Sequence, residues 1–142
     1  MDPDPLIFAS DIEPRYVQLA RAHALAARVE RHISFDIGPF ENLQPPAPTG
    51  LLVCNLPYGE RLQEGNPTSP AFFERLGAVL KRYWSGWRAA LLVADAAPHR
   101  AIGLRPTRRV PLMNGSIPCK LLVFELYAGS RREPGVHFKD KA

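Results

Sequence analysis

Residues 51–58 read Leu51-Leu52-Val53-Cys54-Asn55-Leu56-Pro57-Tyr58. Four apolar residues in a row, without polar alternation, predict a short strand covered on both faces, as in a parallel sheet. An amide ends the run, and Pro57 restricts the backbone of the residue between them. The same pattern recurs outward from this stretch. Leu6-Ile7-Phe8-Ala9-Ser10 is a short apolar run, read as a buried strand, that stops at Asp11. Ile33-Ser34-Phe35 stops at Asp36, and the continuous apolar run 89–94 stops at Asp95. Between the first two, Pro14 suits the first turn of a helix. From 15 to 30, Val17, Leu19, Ala20, Ala24, Leu25, Ala27 and Val29 fall roughly on helical spacing. A second helix is predicted over 71–84, with Phe72, Phe73, Leu76, Val79, Leu80 and Tyr83 on one face and Gly86 to stop it. Gly and Pro mark a loop over 38–50, with room for one helical turn, and another loop spans 63–70. A short helix is expected over 98–104. Strands over 109–113 and 120–127 are joined at Asn114-Gly115, a pair that supplies positive φ. The alternation is that of an α/β protein with a mostly parallel sheet and a terminal antiparallel strand.

Ligands of open α/β sheets bind at the carboxyl ends of the strands. Asp11, Asp36 and Asn55 all stand at such ends. Each alone is also a common cap or turn former. Three on successive strand ends point to a ligand site.

Composition bounds the class. The chain has 142 residues, 46% hydrophobic and 23% charged, which fits one soluble domain and excludes a disordered chain. No run of about 18 apolar residues occurs, so no transmembrane helix is expected. The start Met1-Asp2-Pro3-Asp4-Pro5 lacks the basic and apolar segments of a signal peptide. Two cysteines, Cys54 and Cys119, lie inside apolar runs and are read as reduced core thiols of a cytoplasmic protein, with no zinc spacing. Charge is uneven: residues 1–60 hold four arginines against eight acids, and residues 61–142 hold fourteen Lys and Arg against six acids. A basic half favours a polyanionic partner, though a solvated cationic surface has the same composition. Residues 129–142 are polar and basic and are read as a linker or tail, leaving 1–128 as the domain.

The strand-end segment Asn55-Leu56-Pro57-Tyr58 resembles the Asn/Asp-Pro-Pro-Tyr/Phe motif of amino-methyltransferases, which move a methyl group from S-adenosylmethionine to an exocyclic amine or an amide. The longer run Asn55-Leu56-Pro57-Tyr58-Gly59-Glu60-Arg61-Leu62 is similar to the bacterial large-subunit rRNA guanine-N2 methyltransferases of the THUMP-linked group. So are Ser10-Asp11-Ile12-Glu13-Pro14, Gly86-Trp87-Arg88-Ala89-Ala90-Leu91-Leu92, and Asn114-Gly115 followed by Cys119-Lys120-Leu121-Leu122. The likeness runs from Phe8 to about Leu126. It implies a Rossmann-like class I S-adenosylmethionine-dependent methyltransferase fold, S-adenosyl-L-methionine as cofactor, and 23S rRNA or its large-subunit precursor as partner. Position two of the motif is usually proline and is Leu56 here; that residue acts mainly through its carbonyl, which leucine also offers.

The chemistry asks for these residue types. The exocyclic amine of guanine is a poor nucleophile because its lone pair is delocalised into the ring. The Asn55 side-chain oxygen and the Leu56 carbonyl can accept hydrogen bonds from the amine. Pro57 holds that carbonyl, and Tyr58 can stack on the base. Catalysis is then mostly positioning, with partial charge met by the acceptors, and it needs no metal. A paired guanine has to be flipped out first. Asp11 can accept the ribose hydroxyls of the cofactor, Ile12 pack on adenine, and Asp36 accept from the adenine amine. The plainer readings are a helix cap for Asp11, a turn for Asp36 and a core aromatic for Tyr58. Arg61 either touches RNA or forms a surface ion pair. Arg105, Arg108, Arg109 and the tail cations are candidate phosphate contacts or a solvated basic face. His23, His32, His99 and His137 are not clustered in the sequence.

No G-x-G pattern occurs. The resemblance implies that a first strand and a Gly-rich turn, which hold the methionine part of the cofactor, are missing, as is an N-terminal THUMP region. That strand sits mid-sheet in the family, so its loss leaves two unpaired edges. The expectation is a chain that binds S-adenosylmethionine weakly or not at all, and that is poorly soluble or oligomeric until another segment fills the gap. The alternatives are an adenine-N6 DNA or RNA methyltransferase, which uses the same motif chemistry, and a non-catalytic remnant that binds RNA or a partner chain.

Overall fold

The computed structural model describes residues 7–56 and 69–127. The chain forms two compact units, Met1–Pro46 and Ala47–Ala142.

In the first unit, strand β1 (Ile7–Asp11) pairs in parallel with β2 (Ile33–Ile37), and helix α1 (Pro14–Ala26) connects them. Pro14 occupies the first turn, where its missing N–H breaks no hydrogen bond. The helix stops at Ala26, short of the expected Glu30. Arg28 takes a left-handed conformation, φ 62°. Its N–H donates to the Leu25 carbonyl and that of Val29 to the Ala24 carbonyl, both at 3.0 Å. These two bonds close the helix as a Schellman motif, here without the usual glycine. Helical periodicity continues past such a stop, so spacing alone overshoots it. Val17 and Ala24 are the buried hydrophobics among the described residues of this unit, whereas Ile7 and Phe8 are exposed. The expectation of a buried first strand is therefore corrected: two strands and one helix have too few apolar partners to cover β1.

The second unit holds β3 (Gly50–Asn55), α2 (Pro70–Tyr83), β4 (Trp87–Ala94), β5 (Arg108–Asn114) and β6 (Ile117–Glu125) in a sheet of order β3-β4-β6-β5. β3 and β4 are parallel; β6 runs antiparallel to both β4 and β5. Ser69 starts α2, its Oγ accepting from the Phe72 N–H at 3.3 Å, with Pro70 in the first turn. The helix buries Phe72, Phe73, Leu76, Gly77 and Leu80. β4 buries its alternate residues Trp87, Ala89, Leu91 and Val93, and β6 adds Leu122 and Phe124 on the same face by register. These side chains are the core of the unit. Trp84 and Trp87 meet edge to face at 5.1 Å, and the Trp87 indole donates to the Ala47 carbonyl at 2.9 Å. The ring lies over Gly50, where any Cβ would come within 2.5 Å of it.

β3 is covered on one face only. Leu52 and Cys54 share the core face, while Leu51 and Val53 on the other are exposed, contrary to the expectation of cover on both. β3 is an outer strand of its sheet. The opposite outer strand, β5, carries Pro111 and two arginines, which discourage further pairing. β3 carries neither proline nor charge.

The short helix expected over 98–104 is a 3-10 turn, His99–Ile102, closed by Gly103 at φ 73°. Phe40–Asn42 supplies the one helical turn in the Pro-rich loop. The terminal hairpin is longer than expected, because pairing continues to Asn114 and Ile117. Neither cysteine is in a disulfide, and Cys119 is buried. No helix among the described residues is long and apolar enough to cross a membrane.

Candidate functional site

At the carboxyl end of β1, the Asp11 side chain accepts from the Glu13 N–H at 2.8 Å. This Asx-type turn aims the chain into α1. Asp11 is not the helix cap; Glu13 stands there, without a side-chain bond. The Asp11 carbonyl accepts from the Gly38 N–H at 3.0 Å, tying the end of β2 to that of β1. Asp36 bonds the N–H of Ile37 at 2.9 Å. Both carboxylates are exposed, and in each the second oxygen has no partner among the described residues. By register Asp36 lies opposite Ser10 and Asp11 opposite Ile37, so the two leave the strands on opposite faces. Ile12, just beyond, is an isoleucine 63% exposed to solvent. The structure thus places Asp11, Ile12 and Asp36 together at one sheet end.

In the second unit, β3 ends with Asn55 exposed and the next side chain, Leu56, only 4% exposed. The Leu56 N–H donates to the Leu92 carbonyl at 3.0 Å. Proline at this position would lack that donor. The departure at position two of the motif therefore has a structural use: leucine extends the pairing with β4 one residue past Asn55 and fills the core. Pro57, Tyr58 and Arg61 lie outside the described residues. Among the described residues no three His, Cys, Asp or Glu gather closely enough to hold a metal ion. Sequence reasoning missed two anchors, the Leu92 carbonyl and the Gly38 N–H. Neither has a side-chain signature; only Gly38, two residues after a strand-end acid, hints at the second.

The family model described as RMKL-like, methyltransferase domain matches residues 2–122. The chain belongs to this family. The RMKL-like domain is 35% identical over 121 residues to a protein of Synechocystis sp. named "Putative RNA methyltransferase slr0064", covering 85% of this chain and 31% of that one. It is 33% identical over 138 residues to Ribosomal RNA large subunit methyltransferase K/L of Legionella pneumophila (strain Corby), covering 96% of this chain and 19% of that protein. The chain thus spans under a third of the length of these relatives. Its fold is shared with the crystal structure of "SMU.472, a putative methyltransferase complexed with SAH", at a TM-score of 0.75, with 23% identity over 84% of this chain and 31% of that one. The RMKL-like domain accordingly has the Rossmann-like α/β architecture of the methyltransferases.

Proposed function

We propose that the chain is part of an S-adenosylmethionine-dependent RNA methyltransferase that modifies the exocyclic N2 amine of a guanine in 23S rRNA or its large-subunit precursor. The observation that carries this reading is Asn55, exposed at the end of a parallel strand, with the backbone behind it held by the bond from Leu56 to Leu92. Family membership and relatives named as rRNA methyltransferases support it.

S-adenosylmethionine, when bound, supplies a methyl group activated by a sulfonium. Asn55 accepts a hydrogen bond from the target amine through its side-chain oxygen, and the Leu56 carbonyl accepts a second. Together they turn the nitrogen lone pair toward the methyl group and offset the positive charge that develops on nitrogen. Pro57 restricts Leu56, Tyr58 stacks on the base, and Arg61 takes up RNA. The carboxylate oxygens of Asp11 and Asp36 that have no partner among the described residues suit the ribose hydroxyls and the adenine amine, and exposed Ile12 suits the adenine face. On this reading residues 1–128 are the methyltransferase part and 129–142 a basic tail, and the protein works in the cytoplasm. The longer relatives fit a protein whose remaining segments supply the Gly-rich turn and the RNA-capturing region.

The test is Asn55→Ala in the complete gene. Lost methylation with retained RNA binding is expected, and nucleoside analysis of the unaltered enzyme's product should show N2-methylguanosine. N6-methyladenosine would move the assignment to the adenine class. Unchanged methylation by the variant would remove Asn55 from the site.

A further inference from the structure

Residues 96–124 contain no Asp or Glu and carry Arg100, Arg105, Arg108, Arg109 and Lys120. This acid-free stretch ends in the β5–β6 hairpin. Arg105, Arg108 and Arg109 are exposed and have no ion pair among the described residues. Pairing of β6 with β4 ends at Cys119 opposite Ala94, whereas β5 and β6 stay paired through Met113–Pro118 and Asn114–Ile117. The hairpin tip therefore stands about two residues, roughly 7 Å, past the end of β4. β5 runs parallel to β3, so the tip lies at the same sheet end as Asn55. By register Asn55 is level with Leu92, Leu121 and Val110, so the tip is two to three strand spacings across and about four residues along from Asn55, roughly 16–20 Å in all, which is the span of about five to six stacked bases.

The turn itself, Asn114-Gly115-Ser116, is polar, but the strand ends that lead into it are apolar and exposed. Leu112 is 42% exposed, Met113 64% and Ile117 36%. No charge stands between Arg109 and Lys120. Cations at the base of a strand and an uncharged tip flanked by exposed aliphatic side chains match two needs of a protein that opens a nucleic acid. Phosphates are held by displacing counterions, and unstacked bases are held apart by aliphatic wedges. Met113, unbranched and polarizable, adapts to a base face.

We infer that the β5–β6 hairpin grips the RNA: Arg108 and Arg109 contact phosphates, and Leu112, Met113 and Ile117 press on bases several nucleotides from the one presented to Asn55. The inference rests on Asn55 being the amine acceptor.

The probe is a short fluorescein-labelled RNA stem-loop with one 2-aminopurine in its stem, mixed with the 142-residue chain. The variants are Arg108→Glu with Arg109→Glu, and Leu112→Ser with Met113→Ser. All change exposed residues, and circular dichroism checks that each is folded. The charge variant should bind roughly tenfold more weakly at low salt, with a log–log salt slope shallower by about 1.4. The tip variant should keep the slope and lose the rise in 2-aminopurine fluorescence that reports unstacking. Binding and fluorescence unchanged in both variants would overturn the inference and make the tip a contact for another protein. So would an unaltered chain that does not bind the RNA. The two readings fail separately in the longer enzyme. RNA held through the hairpin but never methylated sinks the role of Asn55 alone; methylation indifferent to both hairpin variants sinks the hairpin alone.

Discussion

Gly77 lies in the interior of α2, where glycine ordinarily costs up to about 1 kcal/mol relative to alanine. Propensity alone predicts that Gly77→Ala stabilises the protein. The structure predicts the reverse. A Cβ at 77 would stand 2.7 Å from the Ile102 carbonyl carbon and 3.1 Å from its Cα, with the carbonyl oxygen closer still. Ordinary contact begins near 3.4 Å. The obstacle is backbone, so no side-chain rotation relieves it, and the 3-10 turn or the helix must move. Ile102 is itself buried at the base of that turn, so movement also opens the core. Overpacking of this kind costs about 1–3 kcal/mol, which outweighs the propensity gain. Thermal unfolding followed by far-UV circular dichroism should show Tm lowered by several degrees, given about 4–8 °C per kcal/mol for a small domain. Gly38→Ala is the control, because nothing lies within 4 Å of its Cβ position and its φ is ordinary. A Gly77→Ala protein with a Tm at or above that of the unaltered chain would refute the close packing of α2 on the 3-10 turn.

Arg28→Gly should stabilise by about 1 kcal/mol, because arginine pays for its left-handed φ and glycine does not; urea titration reads it. The Arg88 Nε donates to both Glu125 oxygens, at 2.9 and 2.8 Å. That hydrogen bond holds the Glu125 carboxyl below its ordinary value, against a smaller opposing effect of burial and with help from the Arg88 charge. A lowered folded-state value means the pair contributes above the unfolded carboxyl range and is lost as pH falls through the folded value. Glu125→Gln should therefore be slightly less stable than the unaltered protein near neutral pH and equal to it in acid, with the gap closing in high salt because both groups are exposed. In a complete enzyme, Asp11→Ala should weaken S-adenosylmethionine binding by about tenfold or more, as expected from losing charge-assisted hydrogen bonds. Titration calorimetry decides it, and unchanged affinity would return Asp11 to the role of a turn residue.

The element order was legible in the sequence because continuous apolar runs and helical spacing are local properties. β2, β3, α2 and β4 fall within two residues of expectation for that reason. The strand-end positions of Asp11, Asp36 and Asn55 were legible too, since each apolar run stops at them. The end of α1 was not, because nothing in the pattern around Arg28 announces a left-handed arginine; the stop lies in two backbone bonds. Nor was the use of leucine at position 56, which depends on the Leu92 carbonyl of a neighbouring strand.

The sequence by itself determined which residues end the strands, where charge is absent, and which family the motifs resemble. Tertiary structure alone decided which strands are outer, and that Ile7, Phe8, Leu51 and Val53 are exposed although their runs read as buried. It alone brought Leu112, Met113 and Ile117 to the same sheet end as Asn55. Proximity follows from strand order and burial from what packs on each face, and both are set by long-range contacts that no local window of sequence contains.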